Sequence, residues 1–119
     1  MWVLVIDDAE SNAFFITETL KLLNHRGVVS HDAVAALTLL DQVAFDCIIV
    51  DFYMPNINGS AFLTALQAKL AISDRTIPVL VMTADPSPDL VAEVTKLGAV
   101  SVLHKPIGIS ALADALSSL

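Results

Sequence analysis

Five runs of apolar, mostly β-branched residues punctuate the chain. They are Trp2–Ile6 (WVLVI), Gly27–Ser30 (GVVS), Cys47–Val50 (CIIV), Ile77–Met82 (IPVLVM) and Ala99–His104 (AVSVLH). Most are continuous rather than alternating, as in strands covered on both faces, and parallel sheets are the usual case. Helical spacing fills the gaps. Ala13, Ile16, Leu20 and Leu23 share one face, and so do Ala33, Ala36, Leu37 and Leu40 behind a cap at Asp32. Phe62, Leu63, Leu66 and Leu70 follow a cap at Asn58. Leu90, Val94 and Leu97 lie on a helix entered through Pro88 and stopped by Gly98, and a last helix runs from about Ser110 to Leu119. The pattern predicts an α/β fold of (βα)5 type: a doubly wound parallel five-stranded sheet with right-handed crossovers and helices on both faces.

In such a sheet, function collects beyond the carboxyl ends of the strands. The first run ends on Asp7 and Asp8, the third on Asp51, the fourth on Thr83 and the fifth on Lys105-Pro106, while the second offers nothing comparable. Three acids, a hydroxyl and an ammonium therefore point at one rim. Two unit charges ~4 Å apart repel by about 4 kcal/mol at an effective dielectric near 20. Crowded carboxylates must take up a proton or hold a cation. Oxygen-only ligands favour a hard divalent ion, and a small cluster with room for water suits Mg²⁺. Lys105 can meet an incoming anion and Thr83 can donate a hydrogen bond to it. Asp is a covalent acceptor of phosphate in some enzymes, so the set reads as a phosphoryl-transfer constellation centred on Asp51.

Composition narrows the classes. With 119 residues the chain has room for one domain and its core. A net charge of −7 argues against direct nucleic-acid binding. No apolar run approaches the ~18 residues of a membrane span. The opening MWVLVIDD is too short and lacks a basic lead, so it does not read as a signal peptide. A single cysteine, Cys47, excludes an internal disulfide and suits a cytoplasmic setting; it reads as a small core residue. Only 16% of residues are charged against 55% apolar, which implies a face covered by something outside the chain, in an oligomer or a longer protein.

The motifs VLVIDD, CIIVDFYMPNINGSAFL, IPVLVMTA and GAVSVLHKP, each at the end of its expected strand, resemble the receiver domain of two-component response regulators across essentially the whole chain, residues 1–119. The resemblance implies a CheY-like, flavodoxin-like sheet of strand order 2-1-3-4-5. It implies that Asp51 accepts phosphate from a histidine kinase or phosphotransfer protein. Asp7, Asp8, Asp51 and the backbone carbonyl of Tyr53 would hold Mg²⁺, with Thr83 and Lys105 contacting the phosphate and a cis bond before Pro106. Such a module is not a turnover enzyme, although its residues assist phosphorylation and later hydrolysis. It would signal to an output domain or protein through the face of the fourth helix, fifth strand and fifth helix.

The chain departs from the family at Val102, three residues before the lysine, where an aromatic ring usually stands. A short branched side chain cannot make the inward ring swing, so the signal is expected to run through the loop after Thr83 and the fourth helix. Tyr53 and Asp85 stand at positions that tune hydrolysis, with opposing signs. The fifth helix carries Asp114 as its one charge and no basic residue, which disfavours a salt-bridged dimer and favours an apolar contact, including an apolar homodimer. Blander readings stand beside these. Asp7 and Asp8 also suit a helix N-terminus, Thr83 a plain strand end and Lys105 a solvated charge. His25, His31 and His104 lack metal spacing and read as surface or edge residues. Asn12 reads as a first-turn polar residue, and Trp2 is expected to pack at the start of an edge of the core. Two rival functions remain: a degenerate receiver acting as a scaffold, and a haloacid dehalogenase-type phosphatase. The latter wants a second acid where Tyr53 stands.

Overall fold

A computed structural model describes residues 1–119. Strands and helices alternate throughout: β1 (Trp2–Ile6), α1 (Glu10–Leu22), β2 (Arg26–Ser30), α2 (Ala33–Leu39), β3 (Cys47–Asp51), α3 (Gly59–Ser73), β4 (Val79–Thr83), α4 (Pro88–Lys96), β5 (Ser101–His104) and α5 (Ile109–Ser117). All strand pairs are parallel, in the order β2-β1-β3-β4-β5, which is the expected doubly wound topology.

Alternation along each strand divides the core into two layers. Leu4, Ile6, Ile48, Val50, Val79 and Val81 face one way, against Phe62, Leu63 and Leu66 of α3 and Val94 of α4. Val3, Val5, Cys47, Ile49, Leu80 and Met82 face the other, against Ile16 and Leu20 of α1 and Leu112 and Leu116 of α5. Both faces of β3 and β4 are therefore dry, which is why their sequences read as unbroken apolar runs.

Helix entry follows local chemistry. The Asp32 carboxylate accepts from the backbone N–H groups of Val34 and Ala35, the Asn58 side chain accepts from Ala61 N–H, and the Ser87 hydroxyl accepts from Leu90 N–H ahead of Pro88. Gly98 follows α4 with φ +107°, a conformation that side chains with a Cβ resist.

Several boundaries shift from expectation. The ladder of β4 begins at Val79 because Pro78 has no N–H to donate; Pro78 contributes only its carbonyl, to Ile48 N–H. Ala99 and Val100 precede β5 rather than belonging to it, and β2 starts one residue early, at Arg26. Trp2 is not a core residue: it is 42% exposed, and the Arg26 guanidinium lies 5.4 Å from its ring centroid. On α5, Leu112 and Leu116 are buried while Ile109 is exposed, and Leu119, just past the helix, is exposed too.

Candidate functional site

The carboxyl ends of β1, β3, β4 and β5 converge on one cluster. Strand parity puts Asp51 in line with Cys47 and Ile49, on the α1/α5 side, and its side chain sits at the edge of the dry layer. Lys105 continues the parity of Leu103 on the same side and reaches back to donate from Nζ to Asp51 Oδ2 at 2.8 Å. The same ammonium lies 3.6 Å from Asp7 Oδ2. Asp7 and Thr83 are fully buried, Asp51 is nearly so, and Asp8 is exposed. Carboxylate oxygens of Asp7, Asp8 and Asp51 all lie within 4.8 Å of one another.

The chain after β3 turns away at once. Phe52 N–H donates to Met82 O at 2.8 Å, and Phe52 O accepts from Gly59 N–H at 2.7 Å, folding the loop back on itself. A Cβ at Gly59 would stand 2.7 Å from the Phe52 ring and 3.0 Å from its Cα, so glycine is what permits this close approach. The fold of the loop leaves Tyr53 exposed at the rim, its carbonyl accepting no hydrogen bond within the chain. On β4, Thr83 Oγ1 accepts from Asp85 N–H at 3.1 Å, which leaves its own O–H proton available to a ligand. Lys105 N–H donates to Thr83 O at 2.8 Å, and the Lys105–Pro106 peptide bond is cis.

Three carboxylates against one ammonium leave the cluster a formal charge of −2. The electrostatics register this at Asp51, whose pKa is raised. Burial is the largest cause, and the negative charge of Asp7 adds to it; the hydrogen bond and charge of Lys105 and the Tyr53 backbone N–H pull the other way. Asp7 meets the same crowding with donors: Oδ1 accepts from Ala9 N–H at 2.9 Å and Oδ2 accepts from the Asn12 amide. A hard divalent cation fits this donor set, which offers anionic oxygen, a free carbonyl and no sulfur or imidazole.

Every side chain singled out for the site, Asp7, Asp8, Asp51, Thr83 and Lys105, lies at this rim, and so does the Tyr53 carbonyl. Three neighbours gained no such role from the sequence. Asn12 is more than a first-turn polar residue, because its amide is bonded to Asp7. His31 Nδ1 donates to the Asp7 backbone carbonyl at 2.8 Å. His104, of opposite parity to Lys105, donates from Nε2 to Ala84 O at 3.1 Å. Both histidines meet a carbonyl, which only accepts, so the named nitrogen carries the proton. Neither approaches the carboxylates as a ligand, in keeping with their lack of metal spacing. Val102 is half-buried against the α3/α4 layer.

The sequence matches the response regulator receiver domain family over residues 3–117. The sensory/regulatory protein RpfC of Xanthomonas campestris pv. campestris is 32% identical over the whole chain, which spans 16% of that protein. The sensor histidine kinase AruS of Pseudomonas aeruginosa is 30% identical over 98% of the chain and 12% of its own length. The chemotaxis protein CheY4 of Vibrio cholerae superposes with a TM-score of 0.90 at 28% identity, covering 98% of this chain and 96% of that one. The chain thus spans a small part of these sensory relatives and almost all of CheY4, and it belongs to the receiver domain family of two-component signalling response regulators.

Proposed function

We propose that residues 1–119 form a phosphoacceptor module that takes a phosphoryl group onto Asp51 from a phosphohistidine on a histidine kinase or phosphotransfer protein. The observation that carries this reading is the buried Asp51 carboxylate bonded to Lys105 at 2.8 Å inside a cluster of acids. An Asp51 oxygen attacks phosphorus, the P–N bond to the donor imidazole breaks as the P–O bond forms, and the imidazole takes up a proton from solvent. Lys105 moves its hydrogen bond from the carboxylate to a phosphoryl oxygen, and Thr83 donates its O–H to another. Asp7, Asp8, Asp51 and the Tyr53 carbonyl are the groups that would hold Mg²⁺, and the bound ion would supply charge neutralisation for the transferring group. The product is an acyl phosphate that hydrolyses in place, so the module assists its own chemistry without turning over a separate substrate.

The partner reading follows the family and the exposed apolar surface. The kinase or phosphotransfer partner meets the rim, and an output domain or protein meets the α4–β5–α5 face, where Ile109 of α5 is exposed. That face also suits an apolar contact with a second copy. No helix is long and apolar enough to cross a membrane, and a cytoplasmic setting suits the kinase partner. Membership of the receiver family sets the haloacid dehalogenase reading aside; the scaffold reading keeps one observation, Val102 in place of the ring.

Incubation with acetyl phosphate and Mg²⁺ followed by intact mass decides between them. A single phosphate adduct that Asp51→Asn abolishes is expected. An unmodified wild-type chain would leave only the scaffold.

A further inference from the structure

Every polar atom of Asp7 is fastened. Its N–H donates to Ser30 O at 3.1 Å, its carbonyl accepts from His31 Nδ1 at 2.8 Å, and Oδ1 accepts from Ala9 N–H at 2.9 Å. The remaining oxygen, Oδ2, accepts from Asn12 Nδ2 and lies 3.6 Å from the Lys105 ammonium. Asp8, next in the chain, is exposed. Asn12 is itself pinned, because its amide nitrogen also rests 3.9 Å from Met82 Sδ, a fully buried β4 atom whose weak acceptor character suits an N–H.

We propose that Asn12 is a positioning residue that holds the Asp7 carboxylate in register for the divalent cation while leaving the cluster's charge unchanged. This rests on the phosphoacceptor reading given above. A cationic donor at position 12 would stabilise Asp7 equally well but would cancel one of the two net negative charges that attract the ion. An apolar residue would preserve that charge and leave Oδ2 without a neutral donor, free to rotate toward Lys105. An amide satisfies both demands. It sits one turn into α1, where the helix presents it beside β1 and β4. Groups that orient a metal-binding carboxylate in this way typically contribute about 10–100-fold to metal affinity.

The test uses the intact chain and Mg²⁺ itself. Calorimetric titration at neutral pH is expected to show about tenfold weaker Mg²⁺ binding in Asn12→Leu. Asn12→Gln, which keeps the amide on one more methylene, should retain an affinity closer to wild type. A readout in the metal-free protein goes with it: one Asn12 side-chain amide proton should be shifted downfield and slow to exchange by NMR, and Asp7→Ala should abolish both properties. Unchanged Mg²⁺ affinity in Asn12→Leu would overturn the inference, as would equal loss in Leu and Gln variants, since shape alone would then explain it. If wild type itself ignores Mg²⁺, the phosphoacceptor reading falls first, and the titration of wild type separates that outcome from failure of the Asn12 role alone.

Discussion

The two ends of β3 carry the same problem with opposite solutions. Cys47 opens the strand and Asp51 closes it; both are buried, both are ionisable, and burial is the largest cause of a raised pKa in each. At Cys47 no counter-charge opposes it. The neighbouring Asp46 adds repulsion, the backbone of Ile48 offsets it weakly, and the thiol is pushed up to about 12. At Asp51 a lysine stands 2.8 Å away and the strand opens onto the rim. Burial raises the pKa at both ends, and only the Asp51 end sets a counter-charge and an opening against it.

The largest way to break that contrast is to remove the Asp51 charge. Asp51→Asn should abolish the phosphate adduct, because the amide is no nucleophile. It should also stabilise the metal-free fold at neutral pH, since the folded environment already disfavours the ionised carboxyl. Both are read on one preparation, by intact mass and urea denaturation. A variant that loses stability instead would mean that the Lys105 contact outweighs burial.

Removing the counter-charge comes next. Lys105→Met leaves Asp51 and Asp7 facing each other with no cation near them. The metal-free protein should lose about 2 kcal/mol, the scale of a partly buried hydrogen bond to a charged group. Phosphorylation by acetyl phosphate should slow, and saturating Mg²⁺ should restore most of the stability. Denaturation with and without Mg²⁺ measures this.

What the sequence made readable follows from this geometry. β3 and β4 are dry on both faces, so their runs are unbroken and their ends fall on Asp51 and Thr83. Site residues that terminate strands are placed by topology, and topology is written in the alternation of runs. Strand starts were harder. Ile77, Pro78, Ala99 and Val100 are apolar yet precede the paired registers of β4 and β5, and Arg26 is paired while charged, because its edge position leaves the side chain in water. Trp2 differs from its expectation for a related reason: hydropathy does not separate a core ring from one covered by a guanidinium. Asn12 and His31 lay beyond reach altogether. Their roles depend on contacts with Asp7 across elements, and a polar residue in a first turn or after a strand carries no local mark of such a partner.

A pH series sharpens the Asp51 end. Its folded pKa lies above the unfolded one, so between the two values the folded chain binds more protons, and metal-free stability falls as pH rises through that window. Asp51→Asn should flatten this slope. Mg²⁺ needs the ionised carboxylate, so its affinity should fall as pH drops through the raised pKa, by up to about tenfold per pH unit if one proton is displaced. Calorimetry across the acidic range checks the sign; affinity that stays flat there would mean that binding displaces no proton from Asp51.

The smallest effect links the two ends. Cys47 is fully buried between β1 and the α1/α5 layer, so a thiol reagent reaches it only when the chain opens. If that opening is global, labelling under slow-reagent conditions reports the unfolded population. A ligand that binds only the folded state lowers that population by a factor of 1 + [L]/Kd, so Mg²⁺ at ten times its Kd should slow labelling about elevenfold. Asp51→Asn, with one of the proposed ligand carboxylates removed, should show far less slowing at the same concentration. Labelling that ignores Mg²⁺ in wild type would mean that Cys47 is exposed by a local opening that leaves the rim intact. The two ends of β3 would then belong to separate cooperative units, and the strand could not carry the stability of one end to the other.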